Sequence, residues 1–341
     1  MTAVSPTTEP NTVAPPSSRG QPVLEVRDLH THFFLRRGIV KAVDGVSFKL
    51  HSGEVLGLVG ESGCGKSLTA LSILRLVPKG AARTVKGEVL LDARDLLTCS
   101  EREMRDVRGR EITMILQDPQ TSLNPVFTIG NQLREALGKI KDTTQTLTDR
   151  AIDKLRSVKV SAPTERVVQF PHELSGGMKQ RVVGAIAMSC EPRVLIADEP
   201  TTALDVTIQL QYLQLLKELQ RSRSMAMLFI THDFGVVAKM CDRVAVMYAG
   251  RIVETGPVRT LFDAPAHPYT QALIASVPKV EQHTERLRTI EGQPPVLSEL
   301  PDGCRFASRC PHSDDRCRSE YPPVFKISAA HESACWKLAE T

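Results

Sequence analysis

The sequence predicts an α/β fold built on a mostly parallel sheet, and three observations carry that expectation. Residues 60–67 read Gly-Glu-Ser-Gly-Cys-Gly-Lys-Ser, a glycine-rich turn between an apolar run at 55–59 and a helix-like run at 68–74. Two further stretches, 194–197 and 225–230, are continuously apolar, as strands covered on both faces must be. Between them, at about 206–221, apolar residues recur at helical spacing. A strand, a helix and a strand in that order need a crossover connection, and therefore parallel pairing.

From the N-terminus, residues 1–21 are rich in Thr, Pro and Ser, without the basic stretch and apolar core of a secretory signal. A disordered tail is expected there. Residues 23–26, 39–43 and 46–50 alternate apolar and polar in the manner of strands, and strand-like runs follow at 87–91 and 112–116. From about 128 to 190 the chain reads as helical, most clearly at 132–137 and 179–190. Beyond about residue 261 the texture turns Pro-rich and Cys-rich, which marks an appended segment.

With 341 residues and 41% hydrophobic content, the chain can bury a sizeable core in one large or two modest domains. No stretch approaches the roughly 18 consecutive apolar residues of a membrane span, so membrane work would be done from the surface, with partners. Net charge is +4, from 43 basic and 39 acidic side chains, and aromatic content is 4%. There is no basic stripe interleaved with aromatics, which argues against nucleic acid as a partner. The expected compartment is the cytoplasm, where thiols stay reduced.

The form GxxxxGKS is a phosphate-binding loop. Gly60, Gly63 and Gly65 let the backbone curl so that successive N–H groups face one anion, and the helix beginning near Lys66 adds its positive end. The whole loop, Gly60, Glu61, Ser62, Gly63, Cys64, Gly65, Lys66 and Ser67, is the expected nucleotide cradle. Lys66 would reach the β- and γ-phosphates, and Ser67 would bind Mg²⁺. A ligand-free glycine turn is the plainer alternative, but the strand before and the helix after favour a nucleoside triphosphate.

The apolar run at 194–197 ends in Asp198 and Glu199. Beside the phosphate loop, Asp198 would hold Mg²⁺ and Glu199 would polarise the attacking water. Phosphoryl transfer needs charge neutralised on one side and a nucleophile oriented on the other. Standing alone, such an acidic strand end is often a solvated turn. Residues 174–178 read Leu-Ser-Gly-Gly-Met, a serine and two glycines at a helix start, and so a second anion cradle.

These pieces, followed by Ala203-Leu204-Asp205 and then His232, resemble an ATP-binding cassette (ABC) ATPase in order and spacing. The resemblance implies a P-loop NTPase fold with a RecA-like core, an antiparallel β subdomain and a helical signature subdomain. It implies ATP and Mg²⁺ as ligands, and two cassettes dimerised head to tail. Residues 60–67 are then Walker A and 194–199 Walker B. In the signature, Ser175, Gly176, Gly177 and Met178 would close on the γ-phosphate held by the partner cassette. Gln117 matches the glutamine that links Mg²⁺ to the membrane partner, although alone it could be a turn residue. His232 matches the switch histidine at the γ-phosphate, and Asp205 the acid that bridges the two subunits. Phe33 resembles the aromatic that stacks on adenine, with Phe34 as competitor, and either could simply be core.

The match narrows further. Runs 117–125, 171–178, 197–207 and 267–273 look like the dipeptide/oligopeptide permease ATPases, and the likeness covers about 22–337. Met178 stands where most cassettes have Gln. The D-type ATPase of these permeases often carries Met there and its F-type mate Gln, which implies a heterodimer. The expected organisation is a tail at 1–21, an ABC ATPase domain at 22–260 with its helical subdomain at about 118–188, and a small Cys-rich C-terminal extension at 261–341. The expected function is ATP hydrolysis that energises peptide import from the cytoplasmic face of a prokaryotic cell membrane. Its partners would be a second cassette, two multi-span permease subunits and an extracytoplasmic substrate-binding protein. Nickel or glutathione import is the alternative within the family. A cassette acting on ribosomes or DNA is disfavoured by the single cassette and the lack of a heptad run. Intact Lys66, Glu199 and His232 disfavour a non-hydrolysing regulator.

Of the eight cysteines, Cys190 and Cys241 read as buried small hydrophobes. Cys64, beside the Lys66 cation, is expected to favour its thiolate and to react with alkylating agents unless Mg-ATP protects it. Cys304, Cys310, Cys317 and Cys335 are spaced C-x5-C-x6-C-x17-C among prolines and few large apolar residues, so a metal staple is reasonable. The spacing lacks the C-x2-C knuckles of a zinc ribbon. Some similar permease ATPases carry a [4Fe–4S] cluster in this segment. Four thiolates would suit that cluster or zinc, or could remain plain thiols. Their distance in sequence from the Walker motifs leads to the expectation that ATP binding does not depend on them.

Overall fold

A computed structural model describes residues 20–36, 38–118, 122–138, 145–202, 204–277 and 289–339. The tail expected at 1–21 falls almost wholly outside the described residues, as do Pro119, Gln120, Thr121 and Ala203 of the family-like runs.

The smaller of two sheets is antiparallel and holds β1 (Leu24–Leu35), β2 (Gly38–Leu50), β4 (Ala82–Leu91) and β5 (Arg94–Asp95), in the order β2-β1-β4-β5. The larger holds β3 (Val55–Val59), β6 (Ile112–Ile115), β7 (Val194–Asp198), β8 (Ala226–Thr231), β9 (Arg243–Tyr248), β10 (Arg251–Pro257), β11 (Phe325–Ser328) and β12 (His331–Ser333). Their order is β11-β12-β10-β9-β3-β8-β7-β6. From β9 to β6 every pairing is parallel. Strands β3, β7 and β8 are buried along their whole length, which is why they read as unbroken apolar runs.

The structure departs from the sequence reading in two places. The runs at 39–43 and 46–50 form one strand, β2, because bulges in its pairing with β1 absorb the change of register around Asp44. Secondly, the large sheet is parallel only from β9 to its β6 edge. Strand β10 pairs antiparallel with β9 and with β12, where Glu254 faces Ser333, and β12 pairs antiparallel with β11. The Cys-rich end therefore supplies the outer strands of the same sheet.

Helices Ile129–Leu137, Leu147–Ser157 and Gly176–Ala187 occupy the region expected to be helical. Each begins at a hydroxyl cap, Thr128, Thr146 and Ser175 respectively, which accepts a backbone N–H from the first turn. Their apolar faces (Leu133, Leu155 and Val182 among them) share one cluster with Leu195, Met227 and Phe229 of the sheet. A hydrophobic layer of this kind carries most of a short helix's stability.

Candidate nucleotide site and cysteine-lined cavity

Four neighbouring strands deliver the candidate residues to one edge of the sheet. In the spatial order β3-β8-β7-β6, β3 runs into the Gly60 turn, β8 into His232, β7 into Asp198 and Glu199, and β6 ends two residues before Gln117. This is the carboxyl edge, where parallel sheets hold ligands.

At the turn, a Cβ on Gly60 would lie 2.1 Å from Met247 O, and one on Gly65 would lie 2.3 Å from Ala42 O. Both positions have positive φ, so glycine is required twice over. The helix Lys66–Ile73 starts directly from Gly65. Lys66 is buried and donates from Nζ to Gly60 O (2.8 Å) and Glu61 O (3.0 Å). Its charge is therefore held in the loop by carbonyls that a phosphate would outcompete. Asp198 is 3% exposed, and its Oδ1 has no hydrogen-bond partner among the described residues. Burial pushes this carboxyl above its ordinary range and Glu199 adds to the shift, against the pull of the Ser67 hydroxyl and Lys66. A divalent cation fits here, since it would partner the orphaned oxygen and favour the carboxylate.

Glu199 gathers three groups. Gln117 donates from Nε2 to its Oε2 (3.0 Å), Thr202 donates from Oγ1 to the same oxygen (3.1 Å), and His232 Nδ1 lies 3.0 Å from Oε1. The structure thus brings together Gln117, Glu199 and His232. Glu199 itself has φ +44°, in the left-handed region, and its N–H donates to Ile230 O (2.9 Å). The sheet imposes a conformation that costs about 1–2 kcal/mol for a non-glycine residue.

In the 174–178 run, Ser175 caps its helix by accepting the Met178 N–H (3.4 Å). A Cβ on Gly177 would meet Ile208 Cγ2 at 2.8 Å, whereas one on Gly176 would meet nothing within 4 Å. Met178 packs against the helical cluster. Asp205 caps the helix Val206–Ser222 through the Ile208 N–H (3.0 Å). Phe33 is half-buried against the core, and Phe34 is 37% exposed with the Arg83 guanidinium 4.2 Å above its ring.

Several expectations need correction. Cys64 is buried, and burial pushes its thiol above the ordinary value in spite of the Lys66 ammonium 3.8 Å away. The thiolate is disfavoured there. Cys241 packs against two apolar clusters and burial raises its thiol, as expected of a small hydrophobe, whereas Cys190 is half-buried and donates to Ala136 O (3.3 Å). Distance in sequence also misleads at the C-terminal end. Arg309, next to Cys310, donates to both oxygens of Glu61 (2.7 and 3.0 Å), and the Tyr269 hydroxyl accepts the Glu61 N–H (2.9 Å). Sequence reasoning missed Thr202, Tyr269 and Arg309. Tyr269 lies in a run already noted for its resemblance, but a lone arginine near two cysteines gives no signal.

Cys304, Cys310, Cys317 and Cys335 line one small cavity of about 20 Å³, with Phe306 and Trp336. Burial pushes the Cys304 thiol up to about 11, and the neighbouring Cys317, Cys335 and Cys310 push it the same way. Among the described residues, the one trio of His, Cys, Asp or Glu ligand atoms within 4.8 Å of one another is His30, His32 and Asp44. The thiols therefore stand wider than the ligands of one tetrahedral zinc, which at about 2.3 Å from the metal sit about 3.8 Å apart.

Residues 43–202 match the family model for ABC transporters, and residues 253–317 match that for the C-terminal region of oligopeptide/dipeptide transporters. The chain belongs to the ATP-binding subunits of the ABC transporter family, in the oligopeptide/dipeptide group. Its class is therefore an ATP-hydrolysing component of a transporter. Among its relatives, a probable peptide ABC transporter ATP-binding protein (y4tR) of Sinorhizobium fredii is 52% identical, over 93% of this chain and 96% of that one. The dipeptide transport ATP-binding protein DppD of Bacillus subtilis is 48% identical, over 92% and 94%. The ATP-binding cassette MJ0796, solved as a dimer in a post-hydrolysis state with ADP and Pi, aligns at a TM-score of 0.62 and 25% identity, over 69% of this chain and 99% of that one.

Proposed function

We propose that this chain hydrolyses ATP to drive peptide import, working peripherally at the cytoplasmic face of a cell membrane. The carrying observation is the convergence of Gln117 and His232 on Glu199, beside the buried Asp198 and Lys66. ATP would lie in the 60–67 loop with Mg²⁺ on Ser67 and Asp198, and Phe33 against the base. Glu199 orients and deprotonates the attacking water, His232 contacts the γ-phosphate, and Gln117 joins the Mg²⁺ site and links it to the membrane partner. Ser175, Gly176, Gly177 and Met178 close on ATP held by a second cassette, with Asp205 at the dimer contact. The openness of Gly176 supports that role, since no described residue lies within 4 Å of where its Cβ would be.

The cassette extends over 22–260, with its helical subdomain at about 118–188, and residues 261–341 form the Cys-rich extension. Met178 favours a heterodimer with a glutamine-bearing mate. Two multi-span permease subunits and an extracytoplasmic substrate-binding protein complete the transporter. Exposed Val126, Phe127, Val168 and Phe170 support permease docking. They lie on two neighbouring segments joined by the backbone bonds Ile129 N–H to Gln169 O (2.8 Å) and Gly130 N–H to Val167 O (2.7 Å). Peptide relatives favour peptide cargo over nickel or glutathione. Four thiols lining one cavity support Cys304, Cys310, Cys317 and Cys335 as the ligands of a [4Fe–4S] cluster, with zinc as the alternative.

Glu199→Gln tests the reading. In the assembled transporter, ATP binding should persist while kcat falls at least about a hundredfold, the usual scale for losing a general base. Undiminished turnover in the variant paired with an equally substituted mate would sink the assignment.

A further inference from the structure

Glu61 places a carboxylate in a loop whose task is to collect phosphate charge. Left free, it would repel the ligand. Arg309 meets it with a bidentate pair, Nη1 to Oε2 (2.7 Å) and Nη2 to Oε1 (3.0 Å). The Arg309 side chain is 3% exposed. It is fixed in turn by donating to Glu291 O (3.0 Å), Ile290 O (3.3 Å) and the Tyr248 hydroxyl (3.3 Å). The Glu61 N–H is committed elsewhere, to the hydroxyl of fully buried Tyr269 (2.9 Å). Tyr269 packs against Tyr248 and Phe306, with ring centroids 4.5 and 5.3 Å away. Phe306 and Arg309 share the turn between Cys304 and Cys310, where the Arg309 N–H donates to Phe306 O (3.0 Å).

We propose that Arg309 is a positioning residue for nucleotide binding: it neutralises Glu61 and holds that carboxylate off the phosphate cradle, while Tyr269 fixes the Glu61 peptide. The C-terminal part of the chain thereby sets the nucleotide affinity of a loop some 240 residues earlier, a separation of 248 positions between the paired side chains. The proposal rests on residues 60–67 binding ATP. Its chemistry is electrostatic. Removing the guanidinium exposes a net negative charge to a triphosphate in a partly desolvated loop, where such repulsion is only weakly damped.

The test is ATP titration of the full chain by calorimetry, with thermal unfolding of each variant alongside. Arg309→Met should weaken ATP binding by about tenfold or more, and the loss should shrink as salt rises from about 0.05 to 0.5 M. Adding Glu61→Gln to Arg309→Met should bring affinity back to within about threefold of the parent, although the stability of the pair is not regained. Arg309→Lys keeps the charge without the fork and should stay within about threefold in affinity while losing stability. A double variant that binds as weakly as Arg309→Met would overturn the proposal, because the loss would then come from loop packing. If Arg309→Met does not fold, Glu61→Gln alone decides: it should bind at least as tightly as the parent and lose no affinity when Lys replaces Arg309. Weaker binding by folded Glu61→Gln would overturn the proposal as well. A parent protein that binds no ATP would instead defeat the reading on which the proposal rests.

Discussion

At His267 the hydrogen-bond geometry dictates the protonation state. Its Nδ1 accepts the Tyr269 N–H (3.0 Å) as the cap of the helix Pro268–Ala275, so that nitrogen must be bare. Burial lowers the imidazole from 6.5 to about 4. In the window between those values the unfolded chain binds a proton that the folded chain refuses, and stability falls as pH drops through it. From pH 7 to 5 the expected loss from this residue is about 2 kcal/mol. His267→Asn, which can accept the same N–H, should unfold with a shallower acid dependence. Thermal midpoints of both proteins at the two pH values check this, and parallel slopes would refute it. The same scale explains Asp44. Burial alone would raise its carboxyl, but the Arg305 and Arg251 guanidinium groups hold it well below the usual range.

At the scale of elements, the two glycines at the start of the helix Gly176–Ala187 separate packing from function. A Cβ on Gly177 collides with Ile208 of the neighbouring helix, and one on Gly176 meets open space. Gly177→Ala should therefore cost stability, about 1–3 kcal/mol as overpacking does, measured by denaturant unfolding. Gly176→Ala should leave the isolated subunit as stable as the parent or slightly more so, since alanine favours helix. In the assembled transporter it should nevertheless slow ATP turnover by about tenfold or more, because the methyl would fill the space meant for the partner's phosphates. Full activity in Gly176→Ala would show that this helix start does not approach a ligand. The strands legible in the sequence were of two kinds: β3, β7 and β8, buried along their whole length, and β1, β2, β4 and β6, read from alternating or short apolar runs. Strands β10 to β12 escaped notice because they are of mixed burial, and two of them are only 3 and 4 residues long.

For the whole molecule, the Cys-rich end belongs to the sheet through β12 and to the phosphate loop through Arg309 and Tyr269. The cavity lined by its cysteines shares Phe306 with the packing around Tyr269. Anaerobically purified protein is expected to be brown, absorbing broadly near about 400 nm, with about four irons per chain. If the proposed cluster is there, Cys317→Ser should bleach it and lower the thermal midpoint, because a bound metal group would tie together a segment that has few large apolar residues. One zinc per colourless chain would replace the cluster while leaving the ligands as assigned. Metal-free protein with a folded C-terminal end would remove both.

The sequence by itself determined the chemistry at the carboxyl edge. A glycine-rich loop between strand and helix, an acidic pair closing an apolar strand, and a histidine after the next strand are local patterns, and each follows from backbone requirements within a few residues. What only the tertiary structure decided were the long-range pairings, Gln117 and His232 on one Glu199 carboxylate and Arg309 on Glu61, and the burial of Cys64 where a reactive thiolate was expected. The reason is physical. Local spacing reports which way a backbone can turn, whereas burial and charge pairing depend on which distant surfaces the sheet order brings together, and that order is set by the packing of the whole core.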